Sequence, residues 1–217
     1  MNVTILLADD HPFVRRGVRN LLEAETDFSV VGEADDGLLV VQMAEKLRPD
    51  ILVVDIMMPN LNGLEVLKQV RHRSPKTRNI VLSMHSADPY VVEAFRSGAS
   101  GYILKDGAPD ELINAIRQVL LGDKYLSPKL PERLIVAVTV SPENVKQDKY
   151  ETLTDREREI FQMASAGKTA AEIAEILSIS PRTVELHRNR MMGKLGLHTQ
   201  TDLVLYAVKR RIIPLDS

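Results

Sequence analysis

The 217-residue sequence contains no cysteine, which excludes disulfides and thiolate metal sites outright. It has no apolar stretch near the ~20 residues that a bilayer-spanning helix needs. Its amino terminus lacks the basic region and long apolar segment of a secretory signal. No internal repeat or low-complexity tract is visible. "AGKT" at 166–169 looks like the tail of a phosphate-binding loop, but the glycine such a loop needs at position 162 is Gln162. These absences leave a cytoplasmic globular chain, with no membrane partner, as the expectation. The length allows one large domain or two small ones, and the hydrophobic share of 44% is ordinary for a packed core.

Charge is present but unevenly placed. Residues 1–121 carry 17 acidic and 13 basic side chains, whereas 182–211 carry 7 basic and 2 acidic. The second segment is a local footprint for a polyanion, although a solvated helix face would have the same composition.

Through residue 121, five apolar runs alternate with amphipathic stretches. The runs are Val3–Ala8, Phe28–Glu33, Ile51–Asp55, Ile80–Ser83 and Gly101–Leu104, with helical patterns near 12–24, 37–47, 63–73, 88–97 and 109–121. Strand alternating with helix implies a doubly wound, five-stranded parallel sheet with helices on both faces. Residues 122–150 hold three prolines and many charges around one apolar island. They read as a linker, with a helix near 128–138 and a mobile portion near 140–150. From 151 to 217 the pattern is helical with clear punctuation. "TDRE" and "TAAE" are capping boxes, Gly167 is a helix stop, and "SISPRTVE" offers Ser180 as a cap with Pro181 in the first turn. Four short helices, the last from about Gln200 to Arg210, make an all-α helix-turn-helix domain.

Functional residues in such α/β sheets gather at the carboxyl ends of the strands. Asp9 and Asp10 end the first run, Asp55 the third, Ser83 the fourth and Lys105 follows the fifth. Three carboxylates cannot sit together unaided, so one must protonate or a cation must bind. Oxygen ligands, without cysteine or a histidine cluster, favour Mg²⁺ over zinc. His11 and His85 flank the site but read as loop or helix-start histidines. A carboxylate, a cation, an ammonium and a hydroxyl together describe phosphoryl transfer to Asp55.

"ADDHP", "DIMMPNLNGLEVL", "LSMHS" and "GYILKD" resemble the receiver domain of two-component response regulators over residues 3–121. The resemblance implies that Asp55 accepts phosphate from a sensor histidine kinase. It implies Mg²⁺ held by Asp10, Asp55 and the carbonyl of Met57, with Asp9 assisting through water. Ser83 and Tyr102 take the switch positions, Lys105 meets the phosphoryl group, and Pro59 and Gly63 shape the loop after Asp55. Asp106 departs from the proline that many receivers carry after the lysine.

On the helix beginning at Pro181, Val184, Met191 and Leu195 share one face, with His187 at its edge. Arg182, Glu185, Leu186 and Asn189 project from the other face. One side of a recognition helix packs while the other enters the major groove. Asparagine can read adenine, glutamate can accept from cytosine, and leucine can touch a thymine methyl. Lys168, Arg182, Thr183, Arg188, Arg190 and Lys194 are candidates for phosphate contact. "LTDREREIFQMASAGKTAAEIAEILSISPRTVELHRNRMMGKLG" resembles the LuxR-type helix-turn-helix over about 151–213. By that resemblance Glu185, Leu186 and Asn189 read bases. Leu203, Val204, Ala207 and Val208, on the last helix, lie where such modules dimerise.

A receiver joined to this module is similar to the NarL/FixJ type of response regulator. The expectation is a phosphorylation-controlled transcription regulator, a homodimer on paired DNA half-sites, with RNA polymerase a candidate further partner and self-dephosphorylation its only slow chemistry. The rival is a Mg²⁺-dependent phosphohydrolase working through an aspartyl-phosphate, with the helical tail as an interaction module. A third reading is a receiver locked in one state, against which the intact site argues.

Overall fold

The computed structural model describes residues 2–131, 134, 149–210, 212 and 213. The chain divides into two compact units, Met1–Pro142 and Glu143–Ser217.

In the first unit, β1 (Val3–Ala8), β2 (Phe28–Ala34), β3 (Ile51–Val54), β4 (Arg78–Ser83), β5 (Ala99–Leu104) and β6 (Tyr125–Leu126) form one sheet in the order β2-β1-β3-β4-β5-β6. Every pairing is parallel. The connecting helices are α1 (Pro12–Glu23), α2 (Gly37–Leu47), α3 (Gly63–Arg73), α4 (Asp88–Ser97) and α5 (Pro109–Leu121). The inner strands β1, β3, β4 and β5 are largely buried on both faces, so they read as apolar runs, whereas the edge strand β2 leaves Val31 exposed. Side chains still alternate between two layers. Leu6, Leu52, Val54, Val81 and Tyr102 pack with Val40, Val66 and Val91 of α2 to α4. Ile5, Leu7, Val53, Ile80 and Ile103 pack with Leu22, Leu112 and Ile116 of α1 and α5.

The sheet order reverses between β1 and β3, which opens a crevice beyond their carboxyl ends. Two glycines allow the chain to close around it. A Cβ on Gly63 would collide with the Asp55 carbonyl, and one on Gly37 with the Leu61 carbonyl. The amide of Gly63 also donates to the Ile56 carbonyl at 2.7 Å, folding the loop back under Asp55.

The sheet has six strands where five were expected. β6 lies inside the stretch read as linker, and Leu130 and Leu134 beyond it are buried in the core of the first unit. Two residues are too short a run to register as a strand against flanking glycine, charge and proline. Most of the helix expected near 128–138 lies outside the described residues, as does 140–148 of the expected mobile portion.

Among the described residues the second unit starts with a 3-10 turn, Lys149–Thr152, whose Tyr150 is buried. Four helices follow: α6 (Asp155–Ser165), α7 (Ala170–Leu177), α8 (Pro181–Leu195) and α9 (Gln200–Lys209). Both expected capping boxes form, Thr154 with Glu157 and Thr169 with Glu172, and Thr199 with Asp202 makes a third. Gly167 adopts φ +89° just after α6, a conformation that costs a residue with a side chain more. Ser180 caps α8 ahead of Pro181 by accepting from the Thr183 amide at 3.1 Å. Ile160, Phe161, Ile173, Val184, Met191, Leu195, Leu203 and Ala207 are buried and supply the core. No helix among the described residues is long and apolar enough to cross a membrane.

Candidate phosphoacceptor site and nucleic-acid interface

β1 and β3 deliver their carboxylates side by side because the sheet pairs them in register, Ala8 opposite Val54. Asp55 stands one residue beyond β3, and its amide continues the ladder by donating to the Ala8 carbonyl at 2.9 Å. Asp9 and Asp55 are almost fully buried, and the Asp10 side chain is 32% exposed at the mouth. The Lys105 ammonium lies between the two buried acids, 2.7 Å from Asp9 Oδ2 and 2.6 Å from Asp55 Oδ2. The Lys105 amide donates to the Ser83 carbonyl at 2.9 Å, so the sheet itself carries the lysine into place.

Burial pushes the Asp55 carboxyl up; the hydrogen bond and charge of Lys105 oppose this, and the charge of Asp9 adds to it. Burial opposes the Lys105 charge, but hydrogen bonds to Asp55 and Asp9 outweigh it and raise the ammonium above its ordinary value. One cation shared by two buried anions accounts for both directions.

His11 joins this cluster, which adjacency in "DDHP" could have signalled. It is the residue preceding α1, as a helix-start histidine should be, and its Nδ1 lies 2.7 Å from Asp10 Oδ1 and 3.3 Å from Asp9 Oδ1. One atom each from Asp9, Asp10, His11 and Asp55 falls within a 4.8 Å group. Asp9 Oδ2 and Asp10 Oδ1 are buried, the first against the Lys105 ammonium and the second against His11 Nδ1. Carboxylate oxygens in excess of local positive charge suit a small hard cation such as Mg²⁺. Met57 lies in the loop just past Asp55, half-buried.

Ser83 is fully buried at the end of β4, and its Oγ accepts from the His85 amide at 3.2 Å. The Tyr102 ring is fully buried and its hydroxyl donates to the His85 carbonyl at 2.6 Å. Burial raises the Tyr102 phenol well above its ordinary value, against a hydrogen bond with Ser83. His85 therefore serves through its backbone, while its ring stacks on Tyr90 of α4, centroids 4.6 Å apart. Sequence could flag His85 only as a histidine, not as this acceptor.

On α8, Val184, Met191 and Leu195 face inward. Arg182, Glu185, Leu186, Asn189 and Arg190 are exposed, and His187 is half-buried at the edge. Lys168 and Thr183 are half-buried, Thr183 Oγ1 being 2.8 Å from Ser180 Oγ at the helix cap. Arg188 donates to Gln200 Oε1 at 2.7 Å and lies 3.7 Å from Glu185, so its guanidinium is already aligned beside the exposed face.

Two expectations are corrected. Lys194 does not stand free for phosphate: its ammonium is 2.6 Å from the buried Glu157 carboxylate and 3.2 Å from the Thr152 carbonyl. Glu157 is buried and would be left without a cation otherwise, which is costly, so the Lys194 side chain turns towards it. Leu203 and Ala207 are fully buried within their own unit and cannot face a second chain, whereas Val204 and Val208 are half-buried and Leu205 is 52% exposed. A helix at i and i+4 presents one stripe, and here that stripe belongs to the core.

The comparisons agree with both halves. Residues 5–117 match the response regulator receiver domain, and 151–207 match bacterial regulatory proteins of the luxR family. The nitrate/nitrite response regulator NarL of Escherichia coli K12 is 36% identical over 209 residues, spanning 96% of each chain. The oxygen regulatory protein NreC of Staphylococcus carnosus is 36% identical over 213 residues, covering 96% of this chain and 98% of its own. Among solved structures, an RcsB–DNA complex aligns with TM-score 0.56 at 28% identity over 95% of this chain and 98% of RcsB. The chain belongs to the NarL/FixJ-type response regulators, DNA-binding proteins of two-component transcription control in which a receiver domain is joined to a LuxR-type helix-turn-helix.

Proposed function

We propose that Asp55 accepts a phosphoryl group from a sensor histidine kinase and that this controls sequence-specific DNA binding by α8. The observation that carries the reading is the Asp9–Lys105–Asp55 cluster at the carboxyl ends of β1 and β3, with both acids buried and one ammonium shared between them. Asp55 Oδ attacks the phosphorus of a phosphohistidine or a small phosphodonor, and the bond from phosphorus to the donor breaks. Asp9, Asp10 and Asp55, with the Met57 carbonyl, would hold Mg²⁺. The cation would neutralise negative charge on the phosphoryl oxygens. Lys105 exchanges a carboxylate partner for a phosphoryl oxygen, and Ser83 Oγ donates to another. A newly placed charge shifts the balance between two arrangements of Ser83, Tyr102 and the loop between them.

The protein acts in the cytoplasm, where kinase and DNA both meet it, and its own chemistry is limited to slow hydrolysis of the aspartyl-phosphate. It binds paired half-sites as a homodimer. RcsB has been solved as dimers on DNA, and the exposed Leu205 beside Val204 and Val208 is the apolar part of α9 left for such pairing. RNA polymerase is a further partner of a regulator so placed.

Acetyl phosphate with Mg²⁺ should add one acid-labile phosphate per chain and raise affinity for the preferred duplex. Sustained turnover of phosphomonoesters would replace this reading by the phosphohydrolase one. Ser83→Ala should still take up phosphate yet lose about 1.5–3 kcal/mol of the affinity gain, the worth of a hydrogen bond to a charged group. An undiminished gain would remove Ser83 from the coupling.

Base reading and phosphate contact separate on α8. Asn189→Ala should cost about 1–3 kcal/mol on the preferred duplex and little on a scrambled one. Arg188→Ala should weaken both duplexes alike and lower the salt slope by about one. Titrations of the phosphorylated full-length chain at several salt concentrations distinguish them. Equal losses on both duplexes for Asn189→Ala would mean that another face of α8 reads the bases.

A further inference from the structure

The chain leaving α5 doubles back onto the part of the receiver that must move. β6 pairs with β5 so that Leu126 stands opposite Tyr102, and the Ser127 amide donates to the Tyr102 carbonyl at 2.9 Å. Two residues on, the Lys129 ammonium lies 2.5 Å from the Asp106 carbonyl oxygen and 3.1 Å from its carboxylate. Asp106 is the residue after Lys105. Leu130 and Leu134 are buried in the same apolar layer as Tyr102 and Leu104. The first stretch beyond α5 thus holds the backbone of one switch residue and the immediate neighbour of the phosphate-facing lysine.

We propose that residues 125–130 are an output relay: they sense the Tyr102 and Lys105–Asp106 positions and pass the change to the chain leading to the DNA-binding unit. This rests on Asp55 being the phosphoacceptor. When Lys105 exchanges a carboxylate partner for a phosphoryl oxygen, the peptide that joins it to Asp106 shifts with it. Lys129 grips that peptide's next carbonyl, and the Ser127 bond reports on Tyr102. The Lys129–Asp106 pair is about half exposed on both sides, so it is weak and can yield to a displacement. Leu126, Leu130 and Leu134 keep the segment docked while it does so. Asp106 has a use here that a proline at the same position could not supply, because its carboxylate is the second partner of Lys129. The alternative is that β6 merely extends the sheet, in which case losing the pair changes stability and leaves signalling intact.

Hydrogen exchange and DNA binding on the full-length chain decide between them. Phosphorylation with acetyl phosphate and Mg²⁺ should change amide exchange several-fold across 122–131. Lys129→Met should take up phosphate with the parent's rate and stoichiometry. Its phosphorylation-driven gain in DNA affinity should fall about two- to fivefold, in proportion to an exposed charge pair. Lys76→Met, an exposed lysine elsewhere on the receiver, should keep the parent's gain. Unchanged exchange in 122–131 despite measured phosphorylation would overturn the relay, and so would a full gain in Lys129→Met or an equal loss in Lys76→Met. A parent chain that takes up no phosphate would overturn the phosphoacceptor reading itself, and the relay with it.

Discussion

Asp55→Asn should reduce phosphate uptake from acetyl phosphate to background while leaving the receiver folded. The amide keeps the shape of the carboxylate but has no anionic oxygen to attack phosphorus. The buried cluster tolerates the change because Lys105 keeps Asp9, 2.7 Å away. Losing one of the two buried acids also removes their mutual repulsion, a contribution that pushes Asp55 upward. The variant should therefore unfold no earlier than the parent. Intact-mass measurement and acid lability follow the phosphate, and chelation of Mg²⁺ in the parent should give the same loss. Undiminished labelling of the asparagine variant would move the acceptor elsewhere. A labelled parent that also hydrolyses phosphomonoesters continuously would keep the acceptor and change the function.

How legible each element was follows from what fixes it. Asp9, Asp10, Asp55, Ser83 and Lys105 were readable because each ends or follows an apolar run, and a parallel sheet brings such ends together. The helix caps were equally readable, since a threonine with a glutamate three residues on acts locally. What escaped depends on partners distant in the chain. β6 is a strand only because β5 offers an edge beside it. The Tyr102 hydroxyl finds the His85 carbonyl, and a backbone acceptor carries no residue-type signal. The α9 stripe looked like an interface because core and interface share one apolar spacing. Burial against the other helices decides between them at Leu203 and Ala207.

Lys194 shows the same limit and leads to a second large effect. From the sequence it is one of several cations beside the exposed face of α8. In the fold it neutralises Glu157, which is 3% exposed at the start of α6 and also receives the Thr154 amide at 2.8 Å. Burial alone would raise the Glu157 carboxyl, but the Lys194 ammonium and the Thr154 groups outweigh it and hold the carboxyl below its ordinary range. Lys194→Met keeps the stem and removes the charge, leaving a buried carboxylate without its cation. Breaking a fully buried pair costs more, but the Lys194 side chain is 37% exposed and water compensates in part, so the expected destabilisation is about 2–3 kcal/mol. Because the folded carboxyl lies below its unfolded value, the parent draws on this pair above the unfolded value of about 4.3 and loses it as pH falls through the folded one. Lys194→Met should therefore be less stable than the parent near neutral pH, and the gap should close towards acid. Denaturant-dependent hydrogen exchange across 155–195 in the full-length chain measures both. A variant as stable as the parent at neutral pH, with DNA binding weakened and a salt slope lowered by about one, would return Lys194 to the phosphate backbone.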